Sequence, residues 1–411
     1  MMNRRQFLGR TSACAALIAP GRHVWAAGEA GELPPLVARL LKEFVKEALP
    51  NGGGIDRSKS LWQAPGRGAA AGSQMFAGQI DPRYLRFEVE ALYRFAAMPN
   101  ANPQWRSVAD SHVEYMARNV YANHPNWAIG NALEMLGVSH QYIGSFKDPA
   151  TVVRTLVEAA RAKSVEVTTA DGVKFRHFPA GYGVLQSKDA GWTNDLSMFG
   201  SGLVHAYEIT GDQTILADAV SFAEYFVQPW RPNSLGKDGY WHCGTWHEKL
   251  GSWVIGPSHY TGFESTDAYG DEASWVFSTM TCIDFLTRLH RHKSDPRYLD
   301  RCVRATQWTL RECQFDDGAV GMCGRDDKWL GFTADAVSQV AMIKERVPAD
   351  HLALPELVAG AKRASSYIDK QVATAKVDGH GVERVTRKTS TDPLCNVAML
   401  WASLLLGWLN K

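Results

Sequence analysis

The sequence predicts an all-α fold: about six helical hairpins closed into an (α/α)6 toroid, with the long loops on one face. Three observations predict it. Apolar stripes at helical spacing recur in pairs, each pair is split by a turn built from Gly, Asp, Asn or Pro, and the connections between pairs are far longer than the turns within them. The chain has 411 residues, 45% hydrophobic and 21% charged, a globular composition with enough apolar material for a large core.

The first segment reads MNRRQFLGRTSACAALIAPGRHVWA. Arg4 and Arg5 are followed by Phe7 and Leu8, then a short apolar run from Ala13 to Pro20 and small residues around Ala26. That order resembles a twin-arginine export signal. Residues 1–26 are therefore expected to be the signal and 27–411 a single toroid domain, periplasmic or secreted, with the twin-arginine machinery as a partner that carries folded cargo.

A leading helix is expected near residues 35–49. ALYRFAAMPNANPQWRSVADSHVEYM then turns at Asn102-Pro103, and GVSHQYIGSFKDPATVVRTLVEAARA turns at Asp148-Pro149. In the third pair Leu196, Phe199, Leu203 and Tyr207 form one stripe. Gly211-Asp212 interrupts it, and Ile215, Ala219, Phe222 and Phe226 form the next. FLTRLHRHKSDPRYLDRCVRATQWTL turns at Asp295-Pro296, and a looser copy follows from Val337 to Ile368. Asp or Asn in these turns is expected to cap the second helix, and Pro suits its first turn. The last segment, LCNVAMLWASLLLGWLNK, is interrupted by Asn396, Ser403 and Gly407 and reads as a core helix rather than a membrane span. One hairpin of strands is expected in KSVEVTTADGVKF, turning at Asp171-Gly172. Paired helices must bury their stripes against neighbouring pairs, and six pairs close into a ring.

Charge narrows the function classes. The formal net charge is +1, from 44 basic and 43 acidic side chains, with no basic face, so nucleic acid is not an expected partner. Of the cysteines, Cys282 and Cys302 read as small buried hydrophobes, while Cys313 and Cys323 flank a loop and are the best candidates for a disulfide in an oxidising compartment. No cofactor and no metal is expected. His242, Cys243, His247 and His259 match no strong zinc spacing, and the Asp316-Asp317-Gly318 loop lacks the oxygen-ligand pattern of a calcium site.

The long connections precede Trp192, Asp271 and Thr333 and should emerge together at one end of the ring. Connections of that length in a compact domain are usually functional. GWTND places Trp192, Asn194 and Asp195 at a helix start; AYGDE and LGFTAD do the same for Asp271 and Asp335. Helix N-termini recruit such acids as caps. Ring closure would also point several of them at one cleft, where carboxylates supply a general acid and a base or nucleophile. The longest connection carries Trp241, Trp246, His242, His247, His259 and Tyr260, either as a small core under the loop or as cleft-lining groups; His247 or Tyr260 could serve as a base. Arg325 and Trp329 lie in the next connection and Arg387 in the last. YANHPNW brings His124, Asn126 and Trp127 to an earlier helix start.

From roughly Asp81 to Lys411 these repeats resemble the six-hairpin α/α-toroid superfamily of carbohydrate-active enzymes, which contains glycoside hydrolases, unsaturated-uronide hydrolases, sugar epimerases and polysaccharide lyases. The resemblance implies an exported enzyme acting on a poly- or oligosaccharide. In the hydrolase reading, Asp195 and Asp271 are the acid/base pair and Asp335 assists. Trp127, Trp192, Trp241, Trp246 and Trp329 stack on sugar, with Asn194, His242 and His259 alongside. In the lyase reading, Tyr260 or His247 is the base and Arg325 or Arg387 holds the uronate. A non-catalytic glycan-binding ring is the third reading, because fold alone does not fix chemistry.

Overall fold

The computed structural model describes residues 85–120, 124–142, 144–168, 172–179, 190–227, 276–321 and 330–374, together with parts of 33–56 and the short pieces 79–80, 241, 245–247, 252–254, 324–325, 328, 377–378 and 381–382. Among them, ten helices form five hairpins: α1 (Arg86–Ala96) with α2 (Pro103–Asn119), α3 (Asn126–Gln141) with α4 (Pro149–Arg161), α5 (Thr193–Thr210) with α6 (Gln213–Val227), α7 (Val276–His290) with α8 (Pro296–Trp308), and α9 (Leu330–Lys344) with α10 (Leu354–Thr374). In the expected leading helix, residues 41–42 and 44–46 are helical and Leu41 and Phe44 are buried. The signal segment and the expected terminal helix lie outside the described residues. No helix among them is long and apolar enough to cross a membrane.

The first helix of each pair is inside and the second outside. Inner α3 is buried from Asn126 through Ser139, polar residues included, whereas outer α4 buries only Val153, Leu156, Val157 and Ala160. A helix buried all round belongs to an interior layer; one with a single apolar stripe faces solvent on its other side. Successive inner helices pack side by side, α1 on α3, α3 on α5, α5 on α7 and α7 on α9. They are parallel. The Ser197 hydroxyl donates to Thr281 Oγ1 at 2.8 Å near the starts of α5 and α7, and Glu208 and His292 meet at 3.0 Å near their ends. Glycine sets the spacing of the tightest pair. A Cβ on Gly130 would stand 2.8 Å from the Phe199 Cα, one on Gly202 2.9 Å from the Gly130 carbonyl oxygen, and one on Gly137 2.1 Å from the His205 ring. The same register places Asn126, four residues before Gly130, level with Asp195, four before Phe199.

The predicted turn chemistry holds at three of four turns. Asn102 accepts from the Gln104 amide, Asp212 from Thr214 and Asp295 from Arg297, each at 2.8–2.9 Å. Asp148 departs from it: its backbone is left-handed, with φ 53°, and its side chain makes no capping bond. The expected hairpin is present as antiparallel β3 (Val165–Thr168) and β4 (Lys174–His177). The two-stranded ribbons β1 (Ile55–Asp56) with β2 (Gln79–Ile80) and β8 (Val377–Asp378) with β9 (Gly381–Val382) were not expected. Nor was a three-stranded antiparallel sheet, β5 (Ala190–Trp192), β6 (Thr245–His247) and β7 (Ser252–Val254), within the segments read as open loops.

Between layers the core is aromatic. Phe178, Phe199, Phe222, Phe226 and Phe285 are buried, with ring centroids 4.9–6.2 Å apart, each contributing about 1.5–3 kcal/mol through burial. Cys282 and Cys302 are buried thiols without a disulfide, as expected of small hydrophobes. Cys313 is buried, and Cys323 lies outside the described residues.

From mid-height to the C-terminal end, the inner helices share a network of paired charges. Arg86 of α1 pairs with Glu134 of α3 and with Asp284 of α7, the latter at 3.3 Å. Ser201 of α5 donates to Asp284 at 2.8 Å. Arg288 of α7 reaches Asp284 at 3.5 Å and Glu208 at 3.8 Å, and Arg291 reaches Glu345, just past the end of α9, at 3.8 Å. Burial alone would push the Asp284 carboxyl up, but Arg288, Arg86 and the Ser201 hydroxyl outweigh it and hold it well below the usual carboxylate range.

Candidate functional site at the N-terminal end of the inner helices

Because the inner helices are parallel, their N-termini share one end of the ring. Asp195 sits there in the first turn of α5 and is 9% exposed. Its Oδ1 accepts from the Asn194 side-chain amide at 3.1 Å, while Oδ2 has no hydrogen-bond partner. Neither oxygen caps a backbone amide. Burial pushes the carboxyl up to about 8 from its ordinary 3.8. The helix start favours the anion by about 1–2 kcal/mol at most, against roughly 6 kcal/mol implied by that displacement. Burial therefore wins, and Asp195 is a carboxylic acid that keeps its proton at neutral pH.

Five further side chains near the same end carry buried polar atoms without partners. On α3, Asn126 has neither its amide nitrogen nor its oxygen bonded. Asn131 donates to the Trp127 carbonyl at 2.8 Å but leaves its own oxygen unpaired. The Ser278 and Thr279 hydroxyls of α7 are unpaired, and Gln339 of α9 donates to the Val276 carbonyl at 3.2 Å while its oxygen has no acceptor role. Buried polar groups are almost always bonded, so such a cluster marks a place where water or a ligand completes the set.

The sheet abuts this end. Trp192 closes β5 and Thr193 opens α5, so the strand leads straight into the helix carrying Asp195. Gly191 pairs with Trp246 and Ala190 with His247, which brings the Trp192, Trp246 and His247 backbones beside the helix start. Sequence reading placed these residues in one neighbourhood without seeing the pairing that joins them.

Three further expected site residues are buried, and one of them is not where it was expected. Trp127 is buried within the first turn of α3, and Trp241 is fully buried, its indole N–H donating to the Phe226 carbonyl at 3.1 Å beneath the Arg301 guanidinium. Both are packed among core residues. Asp335 is not at a helix start: α9 begins at Leu330, which puts Asp335, buried, in the second turn. The hydroxyl that anchors this end of α9 is that of Thr333, accepting from the Val320 amide at 2.9 Å. Arg325 is exposed and donates to the Arg311 carbonyl at 2.9 Å. Asp271, Tyr260, His242, His259, Trp329 and Arg387 lie outside the described residues.

No protein-family model matches the chain, and no curated protein matches it by sequence. Solved structures do match by shape. An unsaturated glucuronyl hydrolase specific for heparin aligns with a TM-score of 0.62 at 11% identity, over 91% of this chain and 96% of the other. An α-1,6-mannanase from a Salegentibacter species aligns with 0.60 at 11% identity, over 90% and 98%. A cellobiose 2-epimerase from Bacillus thermoamylovorans aligns with 0.58 at 8% identity, over 90% and 98%. The protein thus has the α/α-toroid fold predicted from its repeats. Identity this low establishes the architecture alone.

Proposed function

We propose that the protein is an exported carbohydrate-active enzyme that hydrolyses glycosidic bonds of a poly- or oligosaccharide, with Asp195 as the general acid. The observation that carries this reading is the state of Asp195. It is a buried carboxyl with one oxygen unpaired, protonated at neutral pH, set among unpartnered amides and hydroxyls at the end of the ring where the connections emerge. Cleaving a glycosidic bond requires an acid that holds its proton near neutrality and delivers it to the leaving oxygen. A second carboxylate must activate water or attack carbon. Asp335 and Asp271 are its candidates, the former two helices away on the same layer.

The solved structures similar in shape support the reading. One is an inactive variant of the mannanase with two consecutive aspartates replaced, in complex with α-1,6-mannotriose; in this chain the polar pair opening α5 is Asn194-Asp195. Trp192 and Trp246, joined through the sheet, are the proposed sugar platforms. Export rests on the Arg4-Arg5 signal.

The test is a polysaccharide panel read for both new reducing ends and the ultraviolet absorbance of unsaturated uronides. Reducing ends without absorbance, lost about a hundredfold or more in Asp195→Asn with the fold intact, are expected. Absorbance would favour elimination by His247 or Tyr260. Retention on a glycan column with neither product would favour a binding protein.

A further inference from the structure

The floor of this site also constrains the substrate, a point that rests on the reading above. Its unpartnered groups are Asn126, Asn131, Ser278, Thr279, Gln339 and the Asp195 carboxyl. Every one is neutral at pH 7, given the proton on Asp195. Amides and hydroxyls donate and accept, as sugar hydroxyls do. No Lys or Arg stands in the first two turns of α3, α5, α7 or α9. The nearest cation in the inner layer, Arg86, is committed to Glu134 and Asp284. Among the described residues the cation beside the start of α3, Lys163, donates to the His124 carbonyl, and a uronate carboxylate buried on this floor of amides and hydroxyls would lose its water without a counter-charge from the first turns of these four helices, which desolvation opposes.

Asn126 is the most exposed of these groups chemically, though not to solvent. It is 1% accessible, level with Asp195 on the neighbouring helix, and has both ends of its amide unused. Its place explains why an asparagine occupies a wholly buried first turn: a residue kept there for stability would be apolar or bonded.

We propose that this floor binds an uncharged hexopyranosyl unit and that the Asn126 amide grips one of its hydroxyls beside Asp195. The measurement is calorimetric binding of neutral oligosaccharides (manno- and gluco-oligomers) and of uronate oligomers to the full-length Asp195→Asn protein, then to the same protein carrying Asn126→Leu or Asn126→Ser. Binding of a neutral oligomer that weakens about tenfold or more in both double variants, while thermal unfolding of Asn126→Leu stays level or rises, is the expected result. A melting temperature that falls in both variants without loss of affinity makes Asn126 structural and overturns the proposal. So does preferential binding of a uronate oligomer, or no binding of either class. The hydrolytic reading fails separately: cleavage of a uronate chain abolished by Asp195→Asn would sink the neutral-sugar floor and leave that reading standing, whereas turnover surviving Asp195→Asn alongside intact neutral-sugar binding would do the reverse.

Discussion

The two ends of the inner helix layer bury polar side chains on opposite terms. From mid-height toward the C-termini, Asp284, Arg288, Glu208 and Arg291 are each matched across helices, with Arg86 reaching in from the start of α1, so that every one of these charges has a counter-charge within 4 Å. Toward the N-termini, Asn126, Asn131, Asp195, Ser278, Thr279 and Gln339 leave atoms with no partner. The same helices thus bury ion-paired charges in one part and uncharged amides and hydroxyls in the other, although atoms of Glu134 and Arg288 in the charged part also lack a hydrogen bond. The lesson is one of charge: the ion pairs between helices fix the register of the ring, while the neutral end offers its unpaired groups to something that arrives from outside.

The sharpest way to break this contrast is to delete one group at each end. Removing Asp284 by Asp284→Ala leaves Arg86 and Arg288 without their shared partner, and a loss of about 3–5 kcal/mol in urea unfolding is expected. Asn126→Leu at the other end should cost nothing or add stability, since no bond is lost. Equal losses at the two ends would erase the distinction.

A second difference is in pH response. Asp284 is held ionised, so its contribution is present above the unfolded carboxylate range and lost as pH falls through its depressed folded value. Asp195 runs the other way. Its folded value near 8 exceeds the unfolded 3.8, so the folded state holds a proton that the unfolded chain has released, and stability declines as pH rises between those values. Wild type should lose about 2–3 kcal/mol relative to Asp195→Asn between pH 5 and 7, measured by urea unfolding at each pH. A flat difference would mean that Asp195 is ionised at neutrality and cannot be the acid.

Both ends depend on how closely α3 and α5 approach. A Cβ at Gly137 would overlap the His205 ring, which is itself buried beside Glu208. Gly137→Ala should therefore cost about 1–3 kcal/mol through overpacking, with the paired end affected first. A neutral melting temperature would show that His205 has room to turn.

Much of this architecture is legible in the sequence because helical stripes report burial directly: Phe199, Leu203, Phe222 and Phe226 were readable as core from spacing alone, and each is buried. The site was less legible, for physical reasons. The strands joining Trp192 to Trp246 are three residues long and separated by more than fifty in sequence, so their pairing has no local signature. Trp241 read equally as platform or core, because indole is large, apolar and carries a single donor. Asp335 read as a helix start because Thr333 and Asp335 are residue types that cap helices, yet the helix already begins at Leu330. The unpaired atoms of Asn126 and Gln339 exist only in the packed ring, since nothing local states that an amide will be enclosed without a partner.

The smallest expected effects lie in the outer turns, where one capped and one uncapped aspartate share the same Asp-Pro sequence. Asp295 accepts from the Arg297 amide and also binds the Arg297 side chain, so Asp295→Ala should cost about 1 kcal/mol. Asp148 makes no capping bond and occupies a left-handed backbone conformation at φ 53°, which a side chain disfavours. Asp148→Gly should therefore gain a few tenths to about 1 kcal/mol by relieving that strain, less whatever entropy glycine adds to the unfolded chain. Opposite signs for the two variants in paired thermal melts would show that the Asp-Pro signal marks the turn while geometry decides whether the aspartate caps it. Equal losses would mean that Asp148 finds its cap in solution and that its left-handed placement is not the state the turn prefers.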